Sequence, residues 1–155
     1  MRDYLFFRLL NQCLIALCLI GLTGAVTIAG QAHSFAISVT ITGVEPGRGQ
    51  VLASLYGSPA QFMKESTAVA LAAVEQAGHV VLDFQQQPPG DYAIAVFYDV
   101  DNDGELDTNF FGLPKEAIGF SNNAKGRFGP PDWQDAHFML AHDLEMTIML
   151  RSVQE

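Results

Sequence analysis

From Phe35 the chain alternates: Phe35, Ile37, Val39 and Ile41 share one side, and Ser38, Thr40 and Thr42 share the other. A period of two is that of a strand with one buried face. Gly43 to Gly49, with Pro46 and Gly47, predicts a turn, and Gln50 to Tyr56 a second strand with Val51, Ala53 and Leu55 on its apolar face. Two such runs around one turn predict a hairpin. Gly57, Ser58 and Pro59 end it, and Ala60 to Lys64 reads as a short irregular segment. Thr67 to Val74 is ambiguous, since its alanines favour helix while Val69, Leu71 and Ala73 alternate; it is assigned as a strand. His79 to Phe84 alternates again and stops at Pro88-Pro89-Gly90. Asp91 to Tyr98 is apolar on both faces, which predicts a central strand. Residues 99–132 are rich in turn formers, and a loop of that length in a compact domain is usually functional. Ala136 to Ala141 and Leu144 to Arg151 close the chain as strands. Short strands separated by turn signals, with no helical pattern among them, predict an all-β fold: an antiparallel β-sandwich of about seven strands.

The N-terminus departs from this pattern. Arg2 and Arg8 precede a run from Leu14 to Ala29 that is apolar or small and carries no charge. Gly21, Thr23, Gly24 and Thr27 interrupt it, and Gly30-Gln31-Ala32 offers small residues where a signal peptidase reads. The expected organisation is a signal peptide over 1–32 and a single domain over 33–155, in the periplasm or outside the cell; an uncleaved N-terminal anchor is the alternative. No cysteine follows Ala32, so a lipoprotein is not expected. Cys13 and Cys18 both lie in the leader, which leaves the remainder with no thiol and no disulfide to staple it.

Charge narrows the partners. The chain has a formal charge of -9, and removing Arg2, Asp3 and Arg8 with the leader makes the remainder one unit more negative. Nucleic-acid binding needs clustered Lys and Arg, and anionic membrane surfaces need the same, so neither is expected.

The strongest chemical signal is Asp99-Val100-Asp101-Asn102-Asp103-Gly104-Glu105-Leu106-Asp107. Carboxylates at alternate positions before a glycine let a loop curl so that Asp99, Asp101 and Asp103 converge, with the Glu105 carbonyl turned inward and Asp107 in reach directly or through water. Such an all-oxygen set suits calcium better than magnesium. The match to a calcium loop holds through Asp107 and then fails, because Phe110 stands where a bidentate Glu would close the site, and the loop leaves a strand and not a helix. Glu116 is the carboxylate that a loop folding back would bring in. The competing reading is a solvated turn, since Asp, Asn and Gly are favoured there for backbone reasons.

A second constellation follows, from Phe110 to Glu116 and on to Gly119-Phe120-Ser121-Asn122-Asn123. Phe111, Lys115, Glu116, Ser121 and Asn122, with Trp133 beyond, form a candidate binding surface. The competing reading has Phe110, Phe111 and Phe120 plugging the end of the sandwich and Trp133 as a packing anchor. Catalytic patterns are missing: no serine sits in a Gly-x-Ser-x-Gly elbow, and His33, His79, His137 and His142 lack metal-ligand spacing. Acids spaced to share a cation make a poor acid and base pair for glycoside cleavage. The expectation is therefore a non-enzymatic binding or structural domain with calcium as its cofactor and a protein or polysaccharide of the cell envelope as partner. A carbohydrate-binding or envelope accessory module is the alternative, and a hydrolase acting on an envelope polymer stands third.

Pro88-Pro89-Gly90-Asp91-Tyr92-Ala93-Ile94-Ala95-Val96-Phe97-Tyr98-Asp99, Asp101 to Asn109, Gly112 to Glu116 and Gly119 to Asn123 together resemble the DUF2141 family of exported bacterial proteins. The resemblance implies a β-sandwich of transthyretin-like or immunoglobulin-like kind outside the cytoplasm and implies no activity. Its members often carry His where this chain has Tyr98.

Overall fold

Alternating side chains become strands because one pleat face can be buried while the other meets water, and five long strands here follow that rule. The computed structural model describes residues 33–75, 78–127 and 129–152. The expected signal peptide lies outside the described residues. Among the described residues no helix is long and apolar enough to cross a membrane.

The strands are β1 (Phe35–Thr42), β2 (Gln50–Tyr56), β3 (Ala68–Ala73), β4 (His79–Gln87), β5 (Gly90–Asp99), β6 (Ile118–Phe120), β7 (Phe138–Leu140) and β8 (Leu144–Met149). Two sheets face each other: β4-β1-β8, and β3-β2-β5-β6 with β7 also on β5. The fold is therefore the all-β sandwich that the strand pattern predicts. β5 is central, with β2 along one side and both β6 and β7 along the other.

Two features depart from the expected connectivity. β1 and β2 do not form a hairpin: β1 pairs with β4 and β8, and β2 with β3 and β5. Each has one apolar face, and the common core is filled when the turn at residues 43–49 carries the chain from one sheet to the other. Secondly, β1 and β8 run parallel, whereas every other strand pair among the described residues is antiparallel.

Ile37, Ile41, Leu55, Ile94, Val96 and Ile148 fill the space between the sheets with 2% exposure or less. Each such side chain contributes about 1.5–3 kcal/mol of burial free energy. A second cluster sits on the outer face of the larger sheet, where Tyr56, Ala93 and Phe120 are covered by Trp133 and Ala136 with Phe62 alongside. Trp133 and Ala136 bound a one-turn helix, α1 (Trp133–Ala136), so the strand expected from Ala136 begins only at Phe138. Phe62 meets Trp133 edge-on at 5.6 Å between ring centroids.

The end of β8 leaves its own sheet. Ile118 and Arg151 exchange both backbone hydrogen bonds, at 3.0 and 2.9 Å, which ties β8 to β6 across one side of the sandwich. Gly119 permits that approach, since a Cβ there would lie 2.7 Å from Ile148 Cγ2.

Candidate functional site

β5 delivers Asp99 at its last position, and this carboxylate organises the acidic loop. Asp99 is fully buried. Its Oδ1 accepts the Asn102 N–H at 2.7 Å, and its Oδ2 accepts the Gly104 N–H at 2.9 Å and the Gln50 side-chain amide at 2.6 Å. The curl needs left-handed backbone, supplied by Asn102 (φ 63°) and Gly104 (φ 80°). Burial works against the Asp99 charge, but the hydrogen bonds from Gln50, Gly104 and Asn102 outweigh it and hold the pKa below the ordinary carboxylate range.

Asp101 and Asp103 stand exposed beside it. One carboxylate oxygen from each of Asp99, Asp101 and Asp103 lies within 4.8 Å of the others, as the alternate spacing predicts. In water, charges that far apart repel by about 1 kcal/mol per pair. The loop's hydrogen bonds offset that cost, and Asp103 Oδ1 adds one by accepting the Glu105 N–H at 2.8 Å. Asp107 lies outside this triple, with its Oδ2 3.4 Å from Lys115 Nζ and both side chains half-exposed. Glu105 is exposed.

Glu116 does come back to the loop, as a clamp on its backbone. It is buried; Oε1 accepts the Val100 N–H at 3.0 Å and Oε2 the Asp107 N–H at 3.1 Å. One carboxylate thus ties both ends of the loop.

Beyond Asp107 the chain builds a small hairpin. Lys115 N–H donates to Asp107 O at 2.9 Å, Asn109 N–H to Leu113 O at 2.8 Å, and Thr108 bridges to Pro114. The Asn109 side-chain oxygen accepts the N–H groups of Phe111 and Leu113, which fixes the tip. Phe110 is 98% exposed and Phe111 82%, their rings edge-to-face at 5.6 Å. Neither plugs the sandwich, because the hairpin lifts both off the sheet; Phe120 alone of the three is buried. A cleft of about 540 Å³ opens beside the hairpin, lined by Glu45, Arg48, Tyr98, Asp101, Asp107 and Lys115. The Tyr98 hydroxyl donates to Arg48 O at 2.8 Å, and its pKa is raised, chiefly by burial.

The expected binding surface is divided by this arrangement. Phe111 and Lys115 are exposed on the hairpin. Glu116 faces the loop backbone. Ser121 is fully buried; its Oγ accepts the Ile94 N–H at 2.9 Å and donates to Ala136 O. Asn122 is exposed, yet its amide donates to Asp135 O and His137 O at 3.2 and 2.8 Å, so it secures backbone. Trp133 is 9% exposed in the outer cluster and is the packing anchor. Gln50 belongs to the site and was not expected. It opens β2 directly opposite Asp99, a pairing that no local pattern announces.

A family model described as "Uncharacterized protein conserved in bacteria (DUF2141)" matches residues 39–148. No curated protein and no solved structure matches the chain.

Proposed function

The chain belongs to the bacterial DUF2141 family, whose description names no activity, and from the loop geometry we propose that it is an exported, non-enzymatic binding domain of the periplasm or cell exterior. Calcium held by Asp99, Asp101 and Asp103, with the Glu105 carbonyl and Asp107 as further oxygens, stiffens the loop. The hairpin then presents Phe110, Phe111 and Lys115 to a protein or polysaccharide of the cell envelope.

One observation carries this reading: three carboxylates meet within 4.8 Å around an aspartate that is buried and already shaped by backbone N–H groups. The two exposed members, Asp101 and Asp103, face water from which a cation can reach them, while Asp99 fixes the frame. Rigid presentation of two exposed rings suits recognition, because ordered aromatic side chains lose little entropy on binding. Without a bidentate carboxylate at Phe110 the affinity falls in the weak range, about 10⁻⁴ to 10⁻³ M, which suits compartments where calcium is plentiful.

Thermal melting across a calcium titration tests the proposal. A cation tenfold above its Kd stabilises the fold by about 1.4 kcal/mol, a rise of a few degrees in Tm. Asp101→Ala should remove that rise and the calcium-dependent protease resistance of residues 99–117. A Tm that ignores millimolar calcium, with identical cleavage in both forms, sinks it.

A further inference from the structure

The larger sheet ends at β3, and that edge has none of the protection found at the other edges. Sheet edges invite pairing with foreign strands and are normally blunted by charge, proline, irregularity or brevity. β4 carries Asp83 and a left-handed Gln86, β6 and β7 are three residues long, and β8 carries Glu145 and is tied to β6. β3 reads Ala-Val-Ala-Leu-Ala-Ala, with no charge and no proline over six residues.

Its unused backbone groups can be assigned. Val74 N–H donates to Gly49 O at 3.0 Å, in register with the β2–β3 ladder, so residues 68, 70 and 72 are those that bond to β2. The N–H and C=O of Val69, Leu71 and Ala73 point outward, and no strand pairs with that side among the described residues. Val69 and Leu71 are 59% and 55% exposed on the outer face. There Leu71, Leu52, Phe97 and Ile118 stand in register as an apolar row across four strands.

We propose that this edge joins a second copy of the same chain, β3 against β3 in antiparallel fashion, so that two sheets become one. Charge argues for this occupant and its register. At -9 overall, two copies repel wherever both show acid, and β3 shows none. A two-fold axis at Leu71 sets Leu71 against Leu71, Val69 against Ala73, and Glu75 against Thr67, and it lets all three outward residues exchange both of their bonds. Moving the axis to between Val69 and Leu71 would set Glu65 against Glu75 in both copies. Like charges directly opposed destabilise a sheet, so the Leu71 register is favoured. The apolar row then runs unbroken through the axis.

Sedimentation velocity of the full chain over a dilution series provides the test. The expected result is a dimer that dissociates on dilution. Leu71→Lys and Leu71→Glu should each raise the dimer Kd by about tenfold or more, with far-UV circular dichroism unchanged because the side chain is exposed. An equimolar mixture of the two variants should recover the dimer, since ammonium and carboxylate then meet across the axis. Should a variant fail to fold, amide exchange in the unmodified chain reads the same contact: the N–H groups of residues 69, 71 and 73 become protected as concentration rises. A monomer at every concentration overturns the proposal and leaves the edge to a foreign strand. So does a dimer as tight in Leu71→Lys as in the parent, or a mixture that stays monomeric.

Discussion

Residues 99–132 are one run of turn formers in the sequence and, with the short helix that follows, two different objects in space. The first half, 99–117, stands away from the sheet and is shaped by carboxylates: Asp99 accepts three hydrogen bonds and Glu116 two. The second half is joined to the larger sheet, with Trp133 and Ala136 covering its outer face. It is held there by β6, by the buried hydroxyl of Ser121 and by the Trp133 cluster. Hydrogen bonds to a charge fix a loop without burying its other side chains, so the first half can show phenyl rings and acids to a partner. Apolar packing holds a segment only by removing it from water, so Phe120, Trp133 and Ala136 are given up to the fold.

That contrast can be broken at either half. The largest effect should come from Trp133→Ala, which empties the outer cluster and should cost about 3–5 kcal/mol in urea unfolding, leaving a calcium-dependent rise in Tm intact. Asp99→Asn should cost about 2–3 kcal/mol at neutral pH, because the amide cannot accept all three donors as an anion does. Its pH dependence sharpens the point. The folded pKa of Asp99 is depressed, so its contribution is complete above the ordinary carboxylate range and is lost as pH falls through the lower folded value. The stability gap between parent and Asp99→Asn should therefore be flat near neutrality and close in acid; a gap that widens in acid would contradict the assigned direction.

Ser121→Ala should cost about 1–2 kcal/mol, since the Ala136 carbonyl and the Ile94 N–H lose their partner in the core. The smallest change in stability should follow Phe110→Ser with Phe111→Ser, within about 0.5 kcal/mol, and the same pair should abolish capture of an envelope partner. If the double variant melted several degrees lower, the rings would be packing residues and the two halves would not differ as described.

Much of this molecule is determined within short windows of sequence. β1, β2, β4 and β8 follow from alternation because a pleat's two faces differ in burial whatever sheet the strand joins, and the even apolarity of β5 marks it as central. The convergence of Asp99, Asp101 and Asp103 is equally local, since a glycine-bent loop brings alternate residues together without help from elsewhere. Partnership is not local. Only the folded chain decided that β1 and β2 lie in different sheets, that β8 runs parallel to β1, and that Gln50 meets Asp99, because strand pairing is chosen by the whole core. The same holds for Ser121, a polar residue that looks free in a turn-rich stretch, and for Trp133, which the sequence leaves between binding surface and packing anchor. Their burial depends on which distant backbone groups and ring faces arrive beside them, and those arrive only when the second half of the loop settles onto the sheet.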